Sequence, residues 1–203
     1  MLGLPKSTEL TRQLPKKAIY AKFNMNNAAK EKFDADISKI MIVNEISSDT
    51  TIIEKGENIS SFFVLLVALK REDFDEKNIA LLSKLIPQNL LYILEYDGNC
   101  RLAIYRTKLI CSPVMNAGNC SVKLKGINLD AVWENIVMQV GGINVEHGNT
   151  LDEQLAVNER RAKIKKEIAM LEKRARAENQ PKKKFEIVQQ IMKLMEECKN
   201  GQA

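Results

Sequence analysis

With 203 residues the chain is longer than one typical domain and too short for two full ones, so one compact domain with an appendage is expected. Apolar residues at 45% and charged residues at 28% fit a folded globular protein and exclude wholesale disorder, while an aromatic content of 5% leaves few rings for stacking on bases. The net charge of +5 is unevenly held: residues 151–203 carry 13 of the 31 Lys and Arg against 9 of the 26 Asp and Glu, a surplus of four, and the body before them is nearly neutral.

The hydrophobic pattern changes where the charge does, from short apolar runs to long helical periodicity. This predicts a mixed α/β domain over 1–149, with helices flanking a mixed sheet, and a basic C-terminal helical hairpin or coiled-coil arm over 150–203. In the body, Pro5 and Pro15 bracket an N-terminal arm, and 18–23 reads as a strand. Asn26 or Asn27 can cap a helix whose apolar face is Phe33, Ile37, Ile40 and Met41 and which ends before Ser47-Ser48-Asp49. A short strand near 50–53 and a turn at Gly56-Glu57-Asn58 lead into 62–69. That run is apolar on both faces and is expected to be a central strand covered on both sides.

Asp75 can cap the next helix, which carries Ile79, Leu82, Leu85 and Ile86 and stops at Pro87. Residues 90–96 and 100–106 flank Asp97-Gly98-Asn99, a strong hairpin signal because the turn needs positive φ. Residues 112–120 read as a loop and 122–124 as an edge strand. Asn128 opens a helix with Val132, Trp133, Ile136, Val137 and Val140 inward, closed by Gly141-Gly142.

Thr150 and Glu153 have capping-box spacing, and a helix is expected from there to about residue 177. Its stripe of Leu151, Leu155, Ile164, Ile168 and Leu171 is as thin as a coiled-coil seam. Asn179-Gln180-Pro181 breaks it, and Phe185, Val188, Ile191, Met192 and Met195 mark a second helix. So thin a seam stabilises little alone, which makes Leu155, Ile164, Ile168, Leu171, Phe185, Val188, Met192 and Met195 the candidate partner-binding residues.

Several chemistries lack their residues. Residues 1–14 hold no apolar run suited to a signal peptide and 62–69 is too short to span a bilayer, so a cytoplasmic protein without membrane contact is expected. Cys100, Cys111, Cys120 and Cys198 form no CxxC pair and read as buried or idle thiols, and His147, the one histidine, cannot furnish a zinc cage. The glycines form no phosphate-binding loop. No catalytic residue, metal or cofactor is therefore assigned. Asp73, Asp75, Glu76, Glu95 and Asp97 could serve a divergent metal-dependent nuclease through Glu95 or Asp73, but caps and turns explain most of them. Arg160, Arg161, Lys165, Lys173, Arg174, Lys182, Lys183 and Lys184 could contact DNA phosphates without reading sequence. The interleaved Glu159, Glu167, Glu172 and Glu178 offer the alternative of a solvated helix face.

Leu14-Pro15-Lys16-Lys17-Ala18-Ile19-Tyr20, the stretch 33–40, the stretch from Asp75-Glu76-Lys77-Asn78 to Pro87-Gln88-Asn89, and Leu129-Asp130-Ala131-Val132-Trp133-Glu134-Asn135-Ile136 together resemble bacterial domain-of-unknown-function family 4391. The resemblance covers most of the chain, including the charged tail. It implies a setting beside helicase and DNA-methyltransferase genes in restriction-modification-like or phage-defence loci, and carries no catalytic residues with it. The expectation is a non-enzymatic accessory protein that binds a helicase or DNA-methyltransferase subunit, or itself, through the C-terminal helices.

Overall fold

The computed structural model describes residues 2–146 and 148–200; His147 and the side chain of Cys198 lie outside the described residues. The chain divides into two compact units, 1–143 and 144–203. In the first, the elements run β1 (Glu9–Gln13), α1 (Lys16–Lys22), α2 (Asn27–Asp36), β2 (Ile37–Ser47), β3 (Ser61–Leu69), α3 (Glu76–Leu85), β4 (Asn89–Tyr96), β5 (Asn99–Tyr105), β6 (Leu109–Cys111), β7 (Met115–Asn116) and α4 (Leu129–Gly141). The second holds α5 (Leu151–Ala177) and α6 (Pro181–Asn200).

The seven strands form one mixed sheet in the order β1-β2-β3-β4-β5-β6, with β7 also on β5. Only β3 and β4 are parallel, because α3 crosses over between them; the other pairs are antiparallel. Residues alternate across the pleat, so β3 sends Leu65 and Val67 into a core shared with Ile19 of α1, Phe33 of α2, and Ile79 and Leu82 of α3. The other face carries Phe62, whose ring lies 5.1 Å from Trp133 of α4. With Phe62, Val64, Leu65 and Val67 all buried, the run 62–69 is a central strand covered on both sides.

Five local readings are corrected. Within 112–120, read as a loop, Met115–Asn116 form β7, which pairs antiparallel with β5. Residues 18–23 are not a strand: α1 occupies 16–22, and its core contacts Ile19 and Phe23 are one helical turn apart. The helix expected to carry Ile37, Ile40 and Met41 ends at Asp36, and these residues begin β2. A register shift between Ile37 and Lys39 inserts an extra residue, so Ile37 and Ile40 both turn inward three apart and imitate helical spacing. No strand forms at 50–53, because Thr50 Oγ1 accepts from Ser47 N and donates to Glu45 O, and Thr51 Oγ1 donates to Ser47 O; these bonds close a turn. No strand forms at 122–124: Val122 N donates to Leu2 O at 3.1 Å, and at Lys123 the Gln139 amide of α4 takes the place of a neighbouring strand, accepting from Lys123 N at 3.0 Å and donating to Lys123 O at 2.8 Å.

Candidate functional site

Parallel strands in an open α/β sheet present their carboxyl ends as the usual place for a ligand. Here the ends of β3 and β4 open on a cavity of about 150 Å³, lined by residues that include Leu69, Glu72, Leu94, Asp97, Arg101 and Val114. Small-molecule sites are generally upward of about 300 Å³. Two of its three charged groups have structural roles: Arg101 stands over the Phe74 ring at 5.7 Å, and Asp97 holds the hairpin turn at φ 47°. Neither Asp73 nor Glu95 lines it, and among the described residues no three His, Cys, Asp or Glu side chains are grouped to hold a metal ion.

Several other polar groups of the body serve the fold. Asp36 is buried and its carboxylate receives Arg71 Nε at 2.5 Å, Asp75 N at 2.8 Å and Asn78 Nδ2 at 2.7 Å. Lys16 and Tyr20 both donate to Asp34 at 2.6 Å, and these two bonds hold its carboxyl below the usual range. Burial pushes the Tyr92 phenol up; its oxygen pairs with Ser83 Oγ at 2.7 Å. Burial, and then contact with buried Cys100, raises the Cys120 thiol, and burial raises the Cys111 thiol, so these are poor nucleophiles.

The C-terminal unit is different: much of its apolar surface is uncovered. Its entry is well fixed. Thr150 Oγ1 accepts from Glu153 N at 3.3 Å while Glu153 Oε2 accepts from Thr150 N at 2.7 Å, and the latter bond holds the Glu153 carboxyl below its ordinary value. Gln154, buried, accepts from Glu146 N and Asn149 Nδ2 and so ties the preceding loop to α5. The ion pair between Arg160 and Glu197 places the far end of α6 beside the early part of α5, which makes the two helices antiparallel.

Ile164, Ile168, Leu171 and Ala175 recur at four, three and four residues on α5, and all but the half-buried Ile168 are buried. On α6 the inward row is Ile187, Ile191 and Leu194, of which Ile191 is buried and the others half-buried. A second row, Phe185, Val188, Met192 and Met195, runs beside it. Phe185 is 62% exposed, Met192 60% and Met195 42%, with Val188 half-buried. The structure thus separates the candidate partner residues: Leu155 is half-buried and the other α5 members belong to the hairpin's own seam, while the four on α6 form an outward stripe. Sequence reasoning missed Ile187 and Leu194 as seam residues. Their signal was the 187/191/194 spacing, interleaved with 185/188/192/195.

The basic candidates do not share one face. At about 100° per residue, Arg160, Arg161, Lys165, Lys173 and Arg174 are distributed around most of the circumference of α5. Arg160 pairs with Glu197, and Arg161 with Glu146 at 2.8 Å. Lys165, Lys173, Arg174, Lys182, Lys183 and Lys184 are exposed.

A mixed α/β body joined to an antiparallel helical hairpin therefore defines this class of protein. The family described as Domain of unknown function (DUF4391) matches residues 2–197, and the chain belongs to it. No curated protein and no solved structure matches the chain. No helix among the described residues is long and apolar enough to cross a membrane.

Proposed function

We propose that this chain is a cytoplasmic, non-enzymatic accessory protein that acts through protein contacts of its C-terminal helices. The observation that carries this reading is the outward row Phe185, Val188, Met192 and Met195, which the hairpin leaves uncovered. Covering such side chains is worth about 1.5–3 kcal/mol each when complete, so the row is a source of binding energy that the isolated hairpin does not use. In the DNA-modification or phage-defence setting implied by the family resemblance, the partner is a helicase or DNA-methyltransferase subunit, or another copy of this chain.

Phe185→Glu with Met192→Glu in the full chain tests the reading. The pair of substitutions is expected to remove the chain from complexes with the neighbouring subunit or with itself, measured by the mass of the purified assembly. Undiminished association of a folded double variant overturns it.

A further inference from the structure

The spacing and charge order of the α6 stripe select an occupant. We infer that it is covered by a second copy of this chain, with the two α6 helices antiparallel about a twofold axis beside Gln189. This deepens the docking reading above and rests on it.

The row 185/188/192/195 has intervals of three, four and three, and therefore reads the same in both directions. Reversing one copy on the other sets Phe185 opposite Met195 and Val188 opposite Met192, so all four exposed or half-buried members meet an apolar counterpart. Charge along one edge sets the direction. The first turn of α6 carries Lys182, Lys183 and Lys184, and the far end carries Glu196 and Glu197 between Lys193 and Lys199, so the ordering rests on the edge of the stripe and not on the net charge of each end. Glu197 is held by Arg160 of its own hairpin. Lys182, Gln189 and Glu196, spaced by seven, line one edge of the stripe, and the antiparallel arrangement lays Lys182 of each copy against Glu196 of the other, with Gln189 on Gln189. A parallel pair would instead crowd the two lysine triplets together. The uncovered row spans about 16 Å of helix, a small contact typical of reversible assembly, with a Kd on the order of micromolar.

Sedimentation velocity of the full chain from about 1 to 200 µM, bracketing that Kd, is expected to show a monomer passing to a dimer. Lys182→Glu and Glu196→Lys should each weaken the dimer about tenfold by turning two attractive contacts into repulsive ones. Lys182→Glu combined with Glu196→Lys should restore it at unchanged net charge. These exposed positions leave the helix intact, which far-UV circular dichroism checks. A monomer throughout the range, or a dimer whose charge pair does not rescue, overturns the inference. Phe185→Glu separates the two levels. A monomeric chain that loses a helicase or methyltransferase subunit on this change overturns self-pairing alone, whereas a dimer and a subunit complex both indifferent to it overturn the docking reading as well.

Discussion

Gly56 and Asp130 are matched by contact: a β-carbon at position 56 would lie 2.2 Å from Asp130 Oδ1. The carboxylate cannot easily step aside, because it receives the backbone N–H groups of Glu57 at 2.9 Å, Asn58 at 3.1 Å and Ile59 at 2.8 Å. This latch fixes the loop before β3 to the first turn of α4, where Leu129 N also donates to Glu54 O. Gly56→Ala is expected to cost about 1–3 kcal/mol, the usual range for forced overpacking, measured by urea denaturation. A change within error would show that the loop yields freely.

The same carboxylate gives the latch a pH dependence. Partial burial opposes its charge, but the backbone N–H bonds prevail and hold Asp130 below its ordinary 3.8. A depressed carboxyl stabilises the fold above that ordinary value and loses its contribution as pH falls through it towards the folded value. Asp130→Asn should therefore be less stable than the wild type near neutrality, with the gap closing below pH 3.8. A gap that persists unchanged in acid would refute the link.

Asp36 does a comparable task at the junction of α2 and β2, under full burial. Its oxygens satisfy Asp75 N and Asn78 Nδ2 as well as the half-exposed Arg71 guanidinium. Asp36→Ala would strand the Asn78 amide and a backbone donor, and should cost about 2–5 kcal/mol, since each buried unpaired donor costs about 1–3. A parallel loss of Asn78 by alanine should be markedly less than additive with it, because the two side chains share one bond. Additive losses would indicate independent roles.

The buried seam between α5 and α6 and the outward row of α6 should respond differently to substitution. Leu171→Ala and Ile191→Ala, which empty buried seam positions, are expected to destabilise the hairpin by about 2–4 kcal/mol. Met192→Glu, at a position 60% exposed, should leave its helicity unchanged at low protein concentration. Thermal unfolding followed at 222 nm distinguishes them. Loss of helicity in the Met192 variant under those conditions would mean that the outward row supports the hairpin itself.

Elements announced by strong local chemistry were legible from residues alone: the Asp97-Gly98 hairpin, the Asn128 and Thr150 caps, and β3, whose unbroken apolar run demanded cover on both faces. Misreadings arose where a nonlocal partner decided the outcome. The shift between Ile37 and Lys39 exists only against β3, and the place of 122–124 depends on the Leu2 carbonyl and on the Gln139 amide reaching across from α4. β1 has one intermediate residue among exposed ones, so no alternation advertised it before β2 supplied its ladder. On α6 both rows were present in the residues, but which one faces α5 is decided by the packing of Ile191 into the seam with Ile164, Leu171 and Ala175.

The placement of the acidic and basic residues makes a joint prediction for nucleic acid. Since Asp73 and Glu95 belong to no metal-holding cluster among the described residues, plasmid incubated with the chain and Mg²⁺ or Mn²⁺ should remain intact. Nicking that disappears with Asp73→Ala or Glu95→Ala would establish the nuclease alternative. Lys182, Lys183 and Lys184, exposed together on the first turn of α6, can still meet phosphates. Without one basic face on α5 they should give only weak duplex binding, visible near 50 mM salt and lost by about 200 mM as counterions compete. Reversing the three lysines to Glu should abolish the low-salt shift. Tight binding that survives about 200 mM salt would require more phosphate contacts than this one turn can make, and would favour a DNA-clamping arm over a protein-docking one.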